Sequence, residues 1–152
     1  MYQTATTNRV LPEVLKRLGL PTRIYGLRRD LTREVVDGNL SYRPFSEKGF
    51  IEDLRTARAV VAGGGFTLMS EAVYLHKPML SVPVQGQFEQ VLNALYLQEL
   101  GYGRYAPKLS EEALVDFLGS LGTCTQALSG YGQDGNEATF AALRHQLAEA
   151  AA

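Results

Sequence analysis

The stretch that decides the fold runs from Ala59 to Ala94 and reads AVVAGGGFTLMSEAVYLHKPMLSVPVQGQFEQVLNA. Its first four residues are apolar, which is typical of a strand buried on both faces of a parallel sheet. Three glycines follow, and because they lack a Cβ they allow a sharp turn and a close approach of a ligand to the backbone. Apolar residues at helical spacing then predict a helix with Thr67 near its N-cap. Strand, glycine turn and helix start together predict an anion site, since the first N–H groups of a helix lack partners and the helix dipole favours a phosphate.

The second half of the stretch predicts another strand, residues 79–84, and another helix. His76 and Lys77 suit the negative end of the first helix, which Pro78 ends. The second helix should end at Gly101, and its predicted buried face consists of Phe88, Val91, Leu92, Leu95, Tyr96 and Leu100. Ligands of open α/β sheets bind at the carboxyl ends of the strands, so both helix starts are expected to face one crevice.

These motifs carry a family resemblance. The combination of GGGFTLMSEA, KPMLSVPV and FEQVLNA resembles the donor-binding C-terminal domain of GT-B glycosyltransferases. It is most similar to the MurG-like and UDP-glycosyltransferase groups, of the glycosyltransferase family 28 C-terminal type. The resemblance implies a single Rossmann-like α/β domain over residues 1–152, with a parallel sheet and helices on both faces.

The resemblance also implies the roles of individual residues. The diphosphate would be held by Gly64, Gly65, Phe66 and Thr67. Glu71 would bind the ribose hydroxyls, and Glu89 with Gln90 would bind the sugar. Helical spacing adds Asn93 to the sugar site, since it lies one turn after Glu89 and can support that side chain by a hydrogen bond. The loop that contains Phe45 and Ser46 would contact the uracil ring. One departure is Gly63, where many plant-type and animal-type members have a histidine.

The implied donor is a nucleotide-diphosphate sugar, most simply a UDP-sugar, with no metal and no further cofactor. In the family the acceptor site and the usual catalytic base lie on an N-terminal domain, so no catalytic residue is assigned in this chain. We expect an N-terminal acceptor-binding domain or a partner subunit to complete the enzyme. Alone, the chain should bind UDP and transfer no sugar.

Composition limits the other possibilities. The chain has 152 residues, 45% of them hydrophobic, which suffices for one globular domain with a sizeable core. Fifteen basic and sixteen acidic residues give a net charge of -1, which disfavours nucleic acid as a partner. No apolar run is long enough to span a membrane, although peripheral association of a full-length protein stays open. The start lacks a secretory leader and Cys124 is alone, so a cytoplasmic location is expected.

The flanking segments are predicted as support for this stretch. Strands are expected over residues 1–6, 23–27, 40–45 and 102–106, the last at a sheet edge, and loops over residues 28–39 and 122–137, the second of them mobile. Ser46 and Ser110 are expected to cap helices. A first helix should bury Val10, Leu11, Val14, Leu15 and Leu18, and a terminal helix should present Phe140, Leu143 and Leu147 on one side.

The sequence lacks the motifs of several other binding and catalytic sites. A dinucleotide fingerprint would need a glycine at Leu68, and no P-loop or GxSxG elbow exists. His76, Cys124 and His145 are too scattered for an ordinary zinc site. No DxD pair is present, which agrees with metal-independent donor binding. Two alternatives stay open: a UDP-sugar 2-epimerase-like enzyme, which the FEQVLNA segment disfavours, and a non-catalytic nucleotide-sugar-binding or interaction subunit.

Overall fold

The computed structural model describes residues 11–133 and 135–150, and helices and strands alternate from α2 to α5. The helices are α1 Leu11–Leu18, α2 Glu47–Thr56, α3 Phe66–Tyr74, α4 Phe88–Glu99, α5 Glu111–Gly119, α6 Leu121–Ser129 and α7 Glu137–Ala150. The strands are β1 Thr22–Ile24, β2 Val35–Asp37, β3 Leu40–Tyr42, β4 Val60–Ala62, β5 Met79–Ser81 and β6 Gly103–Tyr105. The α/β class is confirmed.

Within the described ranges the strands form two sheets, in the orders β1-β3-β2 and β4-β5-β6. All pairs are parallel except β2 with β3, and the second sheet aligns Ala62 with Ser81 and Ser81 with Tyr105. A cavity of about 880 Å³ is lined by residues of both sheets, among them Arg23 of β1 and Val61 of β4. Strand β6 lies at an edge of its sheet, as predicted.

Two apolar cores cover the two faces of the β4-β5-β6 sheet. Leu80 of β5 packs in one core with α1, α5 and α6, whereas its neighbour Met79 packs in the other. Successive residues of a strand point to opposite faces, so β5 contributes to both cores. The second core contains residues of α2, α3 and α4, including Leu54, Met69 and Leu97. Helices therefore cover both faces of this sheet, as the sequence predicts.

The segment predicted as the loop 28–39 contains a strand instead. Strand β2 pairs antiparallel with β3, and its register places Asp37 opposite Leu40. Only Gly38 and Asn39 connect the two strands, and Gly38 has a φ of 64°, a conformation that glycine adopts at little cost. The segment predicted as a loop therefore forms one strand of a hairpin, with Gly38 and Asn39 in its turn.

The predicted strands that the structure describes are shorter than expected. The predicted strand 79–84 ends at Ser81, although the Val82 N–H still donates to the Ala62 oxygen at 2.8 Å. Pro83 follows and has no N–H with which to continue the ladder. Pro44 has the same effect after β3, while the predicted strand 23–27 lies at Thr22–Ile24.

The buried face predicted for α4 is wrong. Its buried residues are Ala94 and Leu97, whereas Phe88 is 78% exposed and Leu92, Leu95, Tyr96 and Leu100 are exposed as well. Helix α4 lies close to β6, where a Cβ on Gly103 would lie 2.9 Å from Leu97 Cδ2 and 2.0 Å from the Met79 oxygen. The small residue Gly103 allows this close approach. Small residues contribute little to a hydrophobic pattern, so the pattern did not predict it.

The C-terminal segments also differ in part from expectation. The predicted loop 122–137 begins with α6, whose Cys124 and Leu128 are buried. Helix α7 is confirmed, but Phe140, Leu143 and Leu147 are exposed. The predicted first strand, residues 1–6, and the predicted core residue Val10 lie outside the described residues. Among the described helices none combines the length and the apolar character that a membrane span requires.

Candidate functional site

The glycine turn after β4 leads directly into α3 without a side-chain cap. The N-cap residue is Gly65, at φ −64° and ψ 130°, so Thr67 lies in the first turn and is not the cap predicted from the sequence. The first intrahelical bond runs from the Met69 N–H to the Gly65 oxygen, at 3.2 Å. The N–H groups of the residues before Met69 in the helix have no intrahelical acceptor. Three backbone donors at the positive end of the helix dipole are therefore open to an anion.

The adjacent glycines have different surroundings. A Cβ built on Gly64 would lie 2.2 Å from the Gln90 backbone oxygen, so Gly64 is required by its contact with the start of α4. A Cβ on Gly65 would meet no described atom within 4 Å. Of the two glycines predicted to hold the diphosphate, Gly65 faces open space, whereas Gly64 is buried against protein.

Gln90 and Asn93 connect the start of α4 to the glycine turn. The Gln90 Oε1 accepts hydrogen bonds from the Gly64 N–H at 3.0 Å and the Val84 N–H at 3.1 Å, and the Gln90 side-chain amide donates to Gln87 Oε1. Asn93 Nδ2 donates to the Gly64 oxygen at 3.0 Å. Asn93 is thus paired with Gly64 and not, as predicted, with Glu89. These contacts place the start of α4 directly against the glycine turn that precedes α3, and a shared crevice at the two helix starts stays a prediction.

The two predicted acidic ligands are exposed. Glu71 lies in the second turn of α3 and Glu89 in the first turn of α4. No hydrogen bond or ion pair joins either carboxylate to another residue of the described chain. Both are therefore accessible to a ligand, and their roles in ribose and sugar binding stay predictions.

The predicted base-binding loop lies after β3. Phe45 is 83% exposed, while the Ser46 hydroxyl accepts from the Gly49 N–H at 3.2 Å and caps α2 as predicted. The Ser46 side chain is thus occupied in the cap. Contact with a base would come from the Phe45 ring or from the backbone of this loop.

His76 ends α3 by a backbone conformation. Its φ is 53°, the left-handed conformation usually taken by glycine at this position. Lys77 N–H donates to the Ala72 oxygen at 2.8 Å and His76 N–H to the Val73 oxygen at 2.9 Å, which together form a Schellman motif. The imidazole Nε2 lies 3.3 Å from the backbone oxygen of Tyr131. These contacts fix the end of α3, opposite the open N–H groups.

A separate polar cluster joins α2 to the first sheet. The carboxylate of Asp53, 13% exposed, accepts from the Tyr25 hydroxyl at 2.6 Å and from Arg43 Nε at 3.0 Å, and Arg23 Nη1 lies 3.3 Å away. Burial and the hydrogen bond to Asp53 raise the pKa of Tyr25 above its ordinary value. Every polar group named here has a protein partner, so the cluster has a structural role.

Comparison with solved structures identifies the fold. The chain is similar to the glycotransferase of kitacinnamycin, with 19% identity and a TM-score of 0.64, over 85% of this chain and 37% of that one. It is also similar to SnogD from Streptomyces nogalater, with 17% identity and a TM-score of 0.60, over 85% and 37%. A third match, the spinosyn rhamnosyltransferase SpnG complexed with thymidine diphosphate, has 21% identity and a TM-score of 0.53, over 84% and 39%. The chain spans less than two fifths of these proteins.

Sequence relatives cover a shorter segment. An uncharacterized glycosyltransferase of Methanosarcina mazei is 45% identical over 51 residues, or 34% of this chain and 14% of that protein. One from Methanosarcina acetivorans is 41% identical over 59 residues, or 36% and 16%.

A family model, described as glycosyl transferase family 1, matches residues 1–122. The resemblance to a GT-B C-terminal-type domain is confirmed, while the nearness to the MurG-like group stays a prediction. The chain belongs to glycosyl transferase family 1.

Proposed function

We propose that this chain is the donor-binding part of a GT-B glycosyltransferase and binds the diphosphate of a UDP-sugar without a metal ion. The observation that carries the proposal is the uncapped start of α3, where the glycine turn leaves three N–H groups open. Gly65 leaves space for a ligand to lie directly against the backbone.

The exposed side chains around the turn fit a nucleotide sugar. Glu71 lies one turn beyond the open N–H groups, where its carboxylate can accept hydrogen bonds from both ribose hydroxyls. Glu89 lies in the first turn of α4, across the crevice from the glycine turn, and is assigned to the sugar hydroxyls. The exposed ring of Phe45 is assigned to the base.

These groups would contribute to transfer through electrostatics. Negative charge grows on the diphosphate as the glycosyl bond breaks, and preorganised N–H groups with the helix dipole stabilise that charge. The acceptor and the catalytic base are assigned to another domain or to a partner subunit. The isolated chain should accordingly bind donor and transfer nothing.

The thymidine diphosphate complex of SpnG supports a diphosphate ligand in this fold, and it makes thymidine diphosphate the natural competitor of UDP in a test. Uracil and thymine share the hydrogen-bonding edge that a loop backbone would contact and differ by a methyl group. We commit to UDP, so UDP should bind more tightly than thymidine diphosphate.

The test is a thermal-shift and calorimetric panel of nucleotides and nucleotide sugars, with and without magnesium. UDP at 100 times its dissociation constant should add about 2.7 kcal/mol to the free energy of unfolding. No stabilisation by millimolar nucleotide, or stabilisation only with metal, would contradict the proposal. A chain that binds UDP-sugar yet supports no transfer when joined to its acceptor domain would favour the non-catalytic alternative.

Glu71→Ala tests the ribose assignment. Hydrogen bonds to a charged group contribute roughly 1.5 to 3 kcal/mol, so UDP affinity should fall by about tenfold to a hundredfold. Glu99→Ala, at the exposed far end of α4, is the matched control and should bind normally. Unchanged affinity of the Glu71 variant would make Glu71 an ordinary solvated residue.

Glu89→Ala tests the sugar assignment separately. UDP itself should bind as before, while the additional affinity of the preferred UDP-sugar over UDP should be lost, about 1 to 3 kcal/mol. An equal loss for both ligands would mean that Glu89 acts on the nucleotide or on the fold.

A further inference from the structure

We infer that Gln90 and Asn93 are positioning residues that hold the glycine turn in the conformation that leaves the α3 N–H groups open. This inference rests on the proposed function for its consequence in binding. The contacts that carry it are hydrogen bonds between residues of the chain itself.

Gln90 uses its side-chain oxygen on two loops at once. That oxygen accepts from Gly64, in the turn after β4, and from Val84, in the loop after β5. A carbonyl oxygen has two lone pairs, so both acceptor sites are occupied by backbone donors. The oxygen therefore joins the two loops and is not available to a sugar hydroxyl in this arrangement.

Asn93 completes the attachment one helical turn later. Its Nδ2 donates to the Gly64 oxygen, so both backbone polar groups of Gly64 are bonded to α4 side chains. The absence of a Cβ on Gly64 lets the turn lie directly on the α4 backbone. The attachment ends at Gly64, and the uncapped N-cap residue Gly65 follows immediately.

This arrangement matters because three consecutive glycines have unusual backbone freedom. Ordering such a segment costs conformational entropy, which a ligand must offset if the protein has not already done so. The two side chains order the turn before binding, and a preorganised site binds more tightly. Loss of the attachment should therefore weaken the nucleotide and the nucleotide sugar alike.

The test compares Gln90→Met with Gln98→Met. Methionine has a similar length and lacks the amide oxygen, while Gln98 provides a matched control because its Oε1 accepts from the Tyr105 N–H at 2.9 Å, further along the same helix. In Gln90→Met, amide exchange of Gly64 and Val84 should accelerate at least about tenfold, and UDP affinity should fall about tenfold. Gln98→Met should leave both unchanged.

Two further variants distinguish loss of these contacts from a general loss of stability. Gln90→Glu keeps the acceptor oxygen, so it should restore slow exchange of Gly64, which a general loss of stability would not do. Asn93→Leu removes the second contact and should weaken UDP and UDP-sugar by the same factor. It also serves as the alternative if Gln90→Met does not fold.

The inference fails if Gly64 exchanges equally in wild type and Gln90→Met. It also fails if Gln90→Met binds UDP normally and loses only the preference for UDP-sugar, since that result makes Gln90 a sugar ligand. If the wild type binds no nucleotide, the proposed function fails, while the exchange of Gly64 still decides whether the attachment exists.

Discussion

Helices α2 and α3 each follow a strand and a short loop, yet their first turns differ. At α2 the Ser46 hydroxyl accepts from Gly49, and the Asp53 carboxylate one turn later is held by Tyr25 and two arginines. At α3 the N-cap residue is Gly65, and the acid in the second turn, Glu71, is exposed. In α2 the polar groups bond to other residues of the protein, whereas in α3 we propose that they bind a ligand.

The strand–loop–helix connections of this chain thus differ in whether a side chain caps the first turn of the helix. Ser110 caps α5 in the same way as Ser46 caps α2, by accepting from the Ala113 N–H at 3.2 Å. Helices α3 and α4, which are joined at their starts through Gly64, have no side-chain cap. Stability should therefore respond to mutation at α2, and binding should respond at α3.

The largest expected effect is on the α2 side. Asp53→Ala leaves Tyr25, Arg23 and Arg43 without their shared carboxylate, so the free energy of unfolding should fall by about 2 to 3 kcal/mol. Urea unfolding measures this. The control Glu52→Ala removes the adjacent exposed acid, and Glu71→Ala removes the corresponding acid of α3. If the free energy of unfolding falls as far in either control as in Asp53→Ala, the comparison is contradicted.

The second effect separates the two glycines. Gly64→Ala places a methyl group against the Gln90 backbone and should cost about 1 to 3 kcal/mol of stability. Gly65→Ala has space and a compatible φ, so it should fold normally and weaken UDP binding. Parallel unfolding and binding measurements on both variants decide this. The reverse pattern would mean that the ligand does not approach Gly65.

Removing a cap should give a smaller loss. Ser46→Ala and Ser110→Ala each remove the acceptor of one helix-start N–H, at a cost of about 1 kcal/mol. Thr67→Ala should cost less, because the Thr67 hydroxyl caps nothing. Thermal and urea unfolding compare the three variants, and a loss at Thr67 equal to that at Ser46 would remove the distinction between the helix starts.

The smallest effect is a pH dependence at the Asp53 cluster. The pKa of Tyr25 is raised in the folded protein, so its contribution is fully present below its unfolded pKa near 10 and is lost as the pH rises above that value. Between pH 9 and pH 11 wild type should lose up to about 1 kcal/mol more than Tyr25→Phe. Tyr96→Phe, which removes an exposed tyrosine, is the control. If the free energy of unfolding has the same pH dependence in wild type and in Tyr25→Phe, the assignment is refuted.

Local features of the sequence predicted much of this molecule. The glycine turn and the caps at Ser46 and Ser110 depend on neighbouring residues, and their expected positions are confirmed except that the α3 cap is Gly65. The prediction of a loop over residues 28–39 is wrong, because Asp37-Gly38 is typical of a loop and of a hairpin turn alike, and here it lies at the turn between β2 and β3.

Features that depend on distant residues were not predicted. The exposed face of α4 follows from close packing near Gly103, and the partners of Gln90 and Asn93 in the glycine turn lie 26 and 29 residues away. The side-chain amides of Gln90 and Asn93 indicated that both residues form hydrogen bonds. Only the fold identifies the backbone of Gly64 as what they bind.

The central claim is that a nucleotide diphosphate binds the uncapped start of α3, and an amide chemical-shift titration of the labelled chain tests it most directly. With UDP and no metal, the backbone amides of Phe66, Thr67 and Leu68 should shift strongly and saturate together, while those of Glu112 and Ala113 at the capped start of α5 should not move. Saturable shifts confined to other parts of the chain, or no shift at millimolar UDP, would contradict the account.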